Sequence, residues 1–470
     1  MSRPELPTAT AVPAPASAAL PRRSDQAPPA WQGGWRQGLS YGGLGLPLAF
    51  VALPLYVVLP NHYATAFGIP LATLGTLLLA ARLLDAVADP WIGHWVDRWF
   101  TTGLRRLALA GVAAAAVLAL GFRGLFFPAV TGQTALLWWC GGVLAVTYLA
   151  YSVLSVIHQA WGARLGGDEA QRARIVSWRE ALALVGVLVA SVLPSAAGLD
   201  VSTAVFAGLL AVALGAAVWA PRPVRADHAD QPHRLQDTQP ISATGLTPAA
   251  AEAPHPPGSS ASSPWRTPGF RRLLAVFLLN GIASAVPATL VLFFIRDRLQ
   301  APAFEPLFLA SYFAAGALSM PLWVRLVQRL GLARAWLAGM LLAVAAFAWA
   351  ALLGAGDVAG FTAVCITSGI ALGADLALPG ALLAGVIQRA GHGGRLEGRY
   401  FGWWNFATKL NLALAAGIAL PLLAAFGYQP GARDTQALQA LTIAYCVLPC
   451  ALKLAAAGLL HVLWIRGEPR

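Results

Sequence analysis

The sequence predicts an all-α membrane protein of twelve transmembrane helices in two six-helix bundles, and three observations carry that prediction. Of the 470 residues, 58% are hydrophobic and 11% charged, against roughly 25% charged in soluble globular chains, so the charged side chains are too few to cover a water-facing surface. Apolar stretches of the ~20 residues a helix needs to cross a bilayer recur from residue 38 to residue 464. One long polar segment, residues 222–268, rich in Pro, Ser and His, divides them into two sets.

Taken in order, residues 1–35 carry Pro, Ala and Ser without a continuous apolar core, which reads as a disordered cytoplasmic tail and not as a signal peptide. Lipid tolerates no exposed irregular backbone, so each apolar stretch is taken as a helix. The expected spans are 38–61, 70–93, 105–127, 134–160, 178–198 and 202–221 in a first bundle (36–221). A linker (222–268) follows, then spans 270–294, 305–327, 335–353, 358–388, 401–426 and 438–464 in a second bundle (269–465), and a short tail (466–470).

Basic residues fix the expected orientation. Arg123, Arg296, Arg298 and Arg433 fall on one side; Arg82, Lys409 and Lys453 fall inside spans; the other 25 of 32 fall on the side of both termini, which is therefore expected to be cytoplasmic. The stretches GHWVDRWFTTGLRR (Gly93 to Arg106) and PLWVRLVQRLGLAR (Pro321 to Arg334) stand at the same point of each six-span unit, as parallel repeats would place them. The net charge of +12 is scattered between spans and forms no single basic face, which argues against nucleic acid. Cys140, Cys365, Cys446 and Cys450 lie in apolar stretches and read as small fillers, so neither a disulfide framework nor a metal or cofactor site is expected.

A charge at the bilayer centre costs at least ~2.5–3.5 kcal/mol and needs a partner, a cavity or a function. In the second span Asp85 and Asp89 are four apart on one helix face, and Arg82 joins that face. Two carboxylates so spaced can share a proton or offer oxygens to a monovalent cation; a structural salt bridge of Arg82 with one of them is the plainer alternative. Pro90 frees a carbonyl in the preceding turn. Asp97 and Arg98, at the end of the same span, are expected to gate or tether helices, and Arg82 is expected to take part in gating with them. Lys409, with Asn405 one turn before it, needs a carboxylate, for which Asp85 and Asp89 are the natural candidates. Asp375 in the tenth span suits either a cavity or a packing role.

The fourth span supplies Ser152, Ser155 and His158, and Arg179 and Glu180 open the fifth. Ser152, Ser155 and Arg179 are candidate solute contacts, with a pair to Glu180 the alternative for Arg179. His158 reads as a structural hydrogen-bonding group. Trp404 suits stacking on a planar solute face, although with 17 tryptophans in the chain packing is the plainer use of any one.

The stretches LSYG at the first span, GTLLLAARLLDAVADPWIG from Gly75 to Gly93, QRARIVSWR ending at Arg179 and EGRYFGWWNFATKL ending at Lys409 make the chain similar to the major facilitator superfamily. Within it, the chain resembles the melibiose-permease-like glycoside-pentoside-hexuronide cation symporters. The resemblance implies a monomeric secondary transporter of a bacterial inner membrane, working on a small solute by alternating access. It makes Asp85 and Asp89 cation-site carboxylates and places Arg179, Asn405 and Lys409 around the solute cavity. It also puts Ala49 and Ser155 where the family carries sugar-binding aspartates, and Ala88 at an asparagine cation ligand. With those groups gone, proton coupling is expected in preference to sodium. Export, an apolar or amphiphilic solute, and sodium-coupled sugar symport stay open. The histidines are too scattered for an enzyme.

Overall fold

The computed structural model describes residues 31, 33–223 and 263–466, and every long element in it is helical. The parts of the expected tails and linker at 1–30, 224–262 and 467–470 lie outside the described residues. In the first half of the chain the helices are α1 (Trp35–Phe67), α2 (Leu71–Thr102), α3 (Leu104–Phe126), α4 (Gln133–Ala163) and α5 (Glu169–Ala217). In the second half they are α6 (Pro268–Arg298), α7 (Glu305–Leu330), α8 (Leu332–Ala350), α9 (Val358–Arg389), α10 (Glu397–Ala425) and α11 (Thr435–Ile465).

Ten helices among the described residues are long and apolar enough to cross a membrane by length and composition. α2, which carries Arg82, Asp85 and Asp89, is not counted among those ten. α5 has 49 residues; at 1.5 Å per residue that is about 70 Å, more than twice a ~30 Å hydrocarbon core. The chain breaks direction within it at Gly198, whose φ of 84° and ψ of 171° are open to glycine and closed to most side chains. The junction expected between the fifth and sixth spans falls at this residue.

Local chemistry starts and bends the helices. Asp168 and Asp434 cap α5 and α11, accepting the backbone N–H of Gln171 and Ala437 at 2.8 Å each. Pro54, which has no N–H to give, opens a wide turn (Pro54–Val58) inside α1. Trp31, within the stretch expected to be a disordered tail, is buried edge-on against Tyr41, and its carbonyl accepts from Gln171 Nε2 at 2.8 Å. The packed chain therefore begins before residue 35.

Three large apolar clusters organise the packing. One draws only on residues between Leu44 and Ala213, and another only on residues between Val286 and Cys446. The third joins the two halves, setting Ile92, Val96, Val176 and Leu184 against Phe270, Trp323, Leu382 and Tyr400. Across this shared cluster α2 packs along α10 and α5 along α7. The α2–α10 approach is backbone against backbone: a Cβ on Gly93 would collide with the Gly398 carbonyl, and one on Gly402 with the Asp89 carbonyl.

Candidate functional site

The close register of α2 and α10 decides which charges meet. The antiparallel pair that sets Gly93 against Gly398 and Asp89 against Gly402 carries Lys409, two turns further along α10, to the carboxylates of α2. Lys409 Nζ lies 2.7 Å from Asp85 Oδ2 and 2.7 Å from Asp89 Oδ2. It also donates to Ser152 Oγ of α4 at 2.9 Å, and that hydroxyl donates to Asp85 Oδ1 at 2.7 Å. Three helices from both halves of the chain thus share one polar knot.

Its charge does not balance. Two carboxylates face one ammonium, and Asp89, fully buried, keeps an oxygen (Oδ1) that no hydrogen-bond donor reaches among the described residues. The knot as it stands therefore holds one negative charge that no donor among the described residues offsets. Lys409 keeps 21% of its side chain exposed while its partners keep 4% and 0%, so the ammonium is the member that solvent reaches.

The other candidates are distributed around this knot. Asn405 and Trp404 are buried one turn before Lys409, with Trp404 stacked on Phe277 at a centroid distance of 3.8 Å. Ser155, one turn beyond Ser152, accepts from Gln159 Nε2 at 3.0 Å. Ala49 is half-buried in α1. Arg82 makes no salt bridge with Asp85 or Asp89 among the described residues; its guanidinium lies over the ring of Tyr56 at 4.0 Å, a cation–π contact. His158 is buried, its Nε2 2.8 Å from the Tyr41 carbonyl, while the Tyr41 hydroxyl donates back to the His158 carbonyl at 3.1 Å, a structural clasp.

Arg179 donates twice to Glu180 Oε1, at 2.9 and 2.6 Å, and lines a water-sized cavity with Tyr41, Gln159, Arg172 and Phe401. Arg179 stands three turns past Asp168, where α5 begins.

A second ionic group closes that end of the molecule. Asp97 does not pair with its neighbour Arg98, which is exposed. It accepts Arg164 Nη2 at 3.1 Å together with the backbone N–H groups of Gly398 (2.7 Å) and Arg399 (2.9 Å). Arg164, 5% exposed, also reaches Glu397 Oε2 at 3.0 Å and lies over Phe100. Nearby, Arg172 Nη1 donates to Gln388 Oε1 at 2.7 Å, and Glu169 accepts the N–H of Leu332 at 2.8 Å, again joining the two halves. Sequence reasoning missed Arg164 and Glu397; each stands at a helix end, where a charge reads as solvated.

Asp375 does not join the Lys409 knot. Its partner is Lys453 of α11, at 2.6 Å, a residue that the sequence shows only as an unexplained cation inside a span. Among the described residues no group of three or more His, Cys, Asp or Glu is placed to hold a metal, and the four cysteines are free thiols.

A family model described as MFS/sugar transport protein matches residues 39–240 and 260–466. The inner membrane symporter YicJ of Escherichia coli (strain K12) is 29% identical over 166 residues, which is 33% of this chain and 33% of that protein. YnaJ of Bacillus subtilis (strain 168), an uncharacterized symporter, is 36% identical over 61 residues, 13% of each chain. The matched stretches thus span a third or less of these relatives. Among solved structures, the E. coli fucose:proton symporter FucP aligns over 89% of this chain and 98% of its own, with a TM-score of 0.61 at 13% identity. A bacterial homologue of the iron transporter ferroportin in an outward-facing state aligns over 91% and 98%, with a TM-score of 0.59 at 16% identity. At those identities the likeness is one of fold alone.

Proposed function

The chain belongs to the MFS/sugar transport protein family, and from that premise we propose that it is a secondary active transporter, not an enzyme, which moves a small solute by alternating access and couples it to a cation at Asp85 and Asp89. The observation that carries the reading is the knot of Asp85, Asp89, Ser152 and Lys409, in which both ion pairs are 2.7 Å long and the halves of the chain meet. Counting α2 as a crossing, and α5 as two crossings divided at Gly198, brings the ten apolar helices to twelve crossings in two bundles, 36–221 and 269–465. The excess of basic residues at the ends nearest both termini supports a cytoplasmic location for them in a bacterial inner membrane. We take the protein to work as a monomer.

Coupling follows from the charge count. With both carboxylates ionised the knot carries one net negative charge and holds Lys409 across α2 and α10. A proton on either carboxylate neutralises the knot and removes one of the two attractions on the ammonium, which eases separation of the helices. In this reading Ser152, Ser155, Arg179, Trp404, Asn405 and Ala49 face the solute path, while Asp97, with Arg164 and Glu397, holds the basic end shut. Proton coupling is favoured over sodium because Lys409 already occupies the space between the carboxylates, and because Ala49, Ala88 and Ser155 add no anionic ligand.

The test is solute flux in proteoliposomes under imposed gradients. Accumulation that follows a pH gradient and is indifferent to sodium is expected. Accumulation that requires sodium and ignores pH would replace the proton with sodium at the same carboxylates.

A further inference from the structure

The second half of the chain contains a polar cluster with no part in the coupling scheme. Asp375 of α9 is met by four donors: Asn280 Nδ2 (3.0 Å) and Trp336 Nε1 (3.0 Å) on Oδ1, Ser284 Oγ (3.2 Å) and Lys453 Nζ (2.6 Å) on Oδ2. Ser284 has one hydroxyl hydrogen and the Asn280 carbonyl stands 3.1 Å from the same Oγ, so three donors are committed to the carboxylate and the fourth is shared. Lys453 is 2% exposed and gives a second N–H to Asn280 Oδ1 at 2.9 Å. An ammonium has three N–H groups, so one remains to be given.

The cluster forms the polar end of a cavity of about 140 Å³. Its lining residues all come from positions 284 to 453, on α6, α7, α8, α9 and α11, so it lies inside the second half and not at the meeting of α2 with α10. Its walls are mostly aromatic and aliphatic, with Phe313 and Phe347 among them, and Tyr312, Tyr445 and Ser368 add hydroxyls. A volume of ~150 Å³ is enough for one benzene-sized ring.

We infer that this cavity is a ligand site of its own, taking a small amphiphile with an apolar body of about one ring and a single oxygen acceptor for the remaining N–H of Lys453. The charge pair is neutral and its carboxylate already holds three committed donors, so the charged end of the cavity gives one donor to an otherwise mostly apolar space. A polyhydroxylated solute fits less well: most of the lining is hydrocarbon, the hydroxyls of Ser284, Tyr312, Ser368 and Tyr445 are few against its own, and each buried unpaired polar group costs about 1–3 kcal/mol. The inference rests on the transport reading only in taking this ligand for the solute; binding itself does not depend on it.

Benzyl alcohol and benzaldehyde serve as uncharged one-ring probes with one oxygen acceptor, and glucose as the polyhydroxylated comparison, against full-length protein purified in detergent. Thermal unfolding is expected to shift upward and saturably with at least one of the ring compounds and not with glucose. Ala371→Leu and Ser368→Leu, which fill the cavity while leaving Asp375 and Lys453 in the sequence, are expected to weaken that binding at least tenfold; two variants are used so that one failing to fold leaves the other. Lys453→Met paired with Asp375→Asn removes the donor without leaving an unpaired charge, and is expected to weaken it as well. Saturable binding of glucose with silent ring compounds, or ring-compound binding untouched by both filling variants, overturns the proposal. Binding that the variants abolish, without gradient-driven uptake of the probe in proteoliposomes, keeps the site and counts against the transport reading instead.

Discussion

Replacing Asp89 by asparagine separates the structural from the coupling role of the charges on α2. Asp89 Oδ2 and Lys409 Nζ are 2.7 Å apart, which at an effective dielectric near 20 is a gross attraction of about 6 kcal/mol. Against it stands the cost of keeping a fully buried carboxylate ionised, several kcal/mol after relaxation. The two nearly cancel, and Asp89→Asn leaves Lys409 paired with Asp85 in a neutral knot, so unfolding is expected to shift by no more than about 1–2 kcal/mol. Lys409→Met does the opposite: it strands two carboxylates that are 4% and 0% exposed, and loss of one partner of a buried pair costs about 3–5 kcal/mol. Asp85→Asn and Asp89→Asn added to Lys409→Met should restore most of that loss. The assay is thermal unfolding of purified variants beside concentrative uptake in proteoliposomes. Asp89→Asn is expected to unfold like the wild type yet fail to accumulate solute. Normal accumulation by Asp89→Asn, or a Lys409→Met protein as stable as the wild type, refutes the reasoning.

The remaining predictions concern how the halves hold together. Arg164→Met leaves Asp97 and Glu397 facing each other without their cation; a loss of about 3–5 kcal/mol is expected, with faster labelling of cysteines introduced near Gly398 if the protein still folds. Gly402→Val sets a branched side chain where the Asp89 carbonyl and the Pro90 Cα stand; overpacking of about 1–3 kcal/mol, read as a lower unfolding midpoint, is expected together with slower uptake.

Much of this architecture is legible in the residues. Hydropathy marks ten of the helices without effort, and the rarity of charge inside spans isolates Asp85, Asp89 and Lys409, whose meeting follows from elimination: few ionic partners exist at that depth. The same elimination, applied to Asp375 and Lys453, would have paired them too, since both are lone charges in spans of the second half. Arg82 escaped because its partner is the face of a tyrosine ring, and aromatic contacts leave no charge pattern in a sequence. Arg164 and Glu397 escaped for another reason. They lie at helix ends, where charge is ordinary, and only the register of α2 against α10 turns them inward.

The bare seam between α2 and α10 has a mechanical consequence. Where long side chains separate two helices, a small displacement is absorbed by rotamers and the helices move by degrees. Gly93, Gly398 and Gly402 offer no such cushion, because main chain rests on main chain. A contact of this kind has two arrangements, touching and apart, with little between them. Whatever loosens Lys409 therefore acts as a catch on a hinge and not as a weight on a spring, so motion at that seam is expected to be abrupt even when the trigger is a single charge.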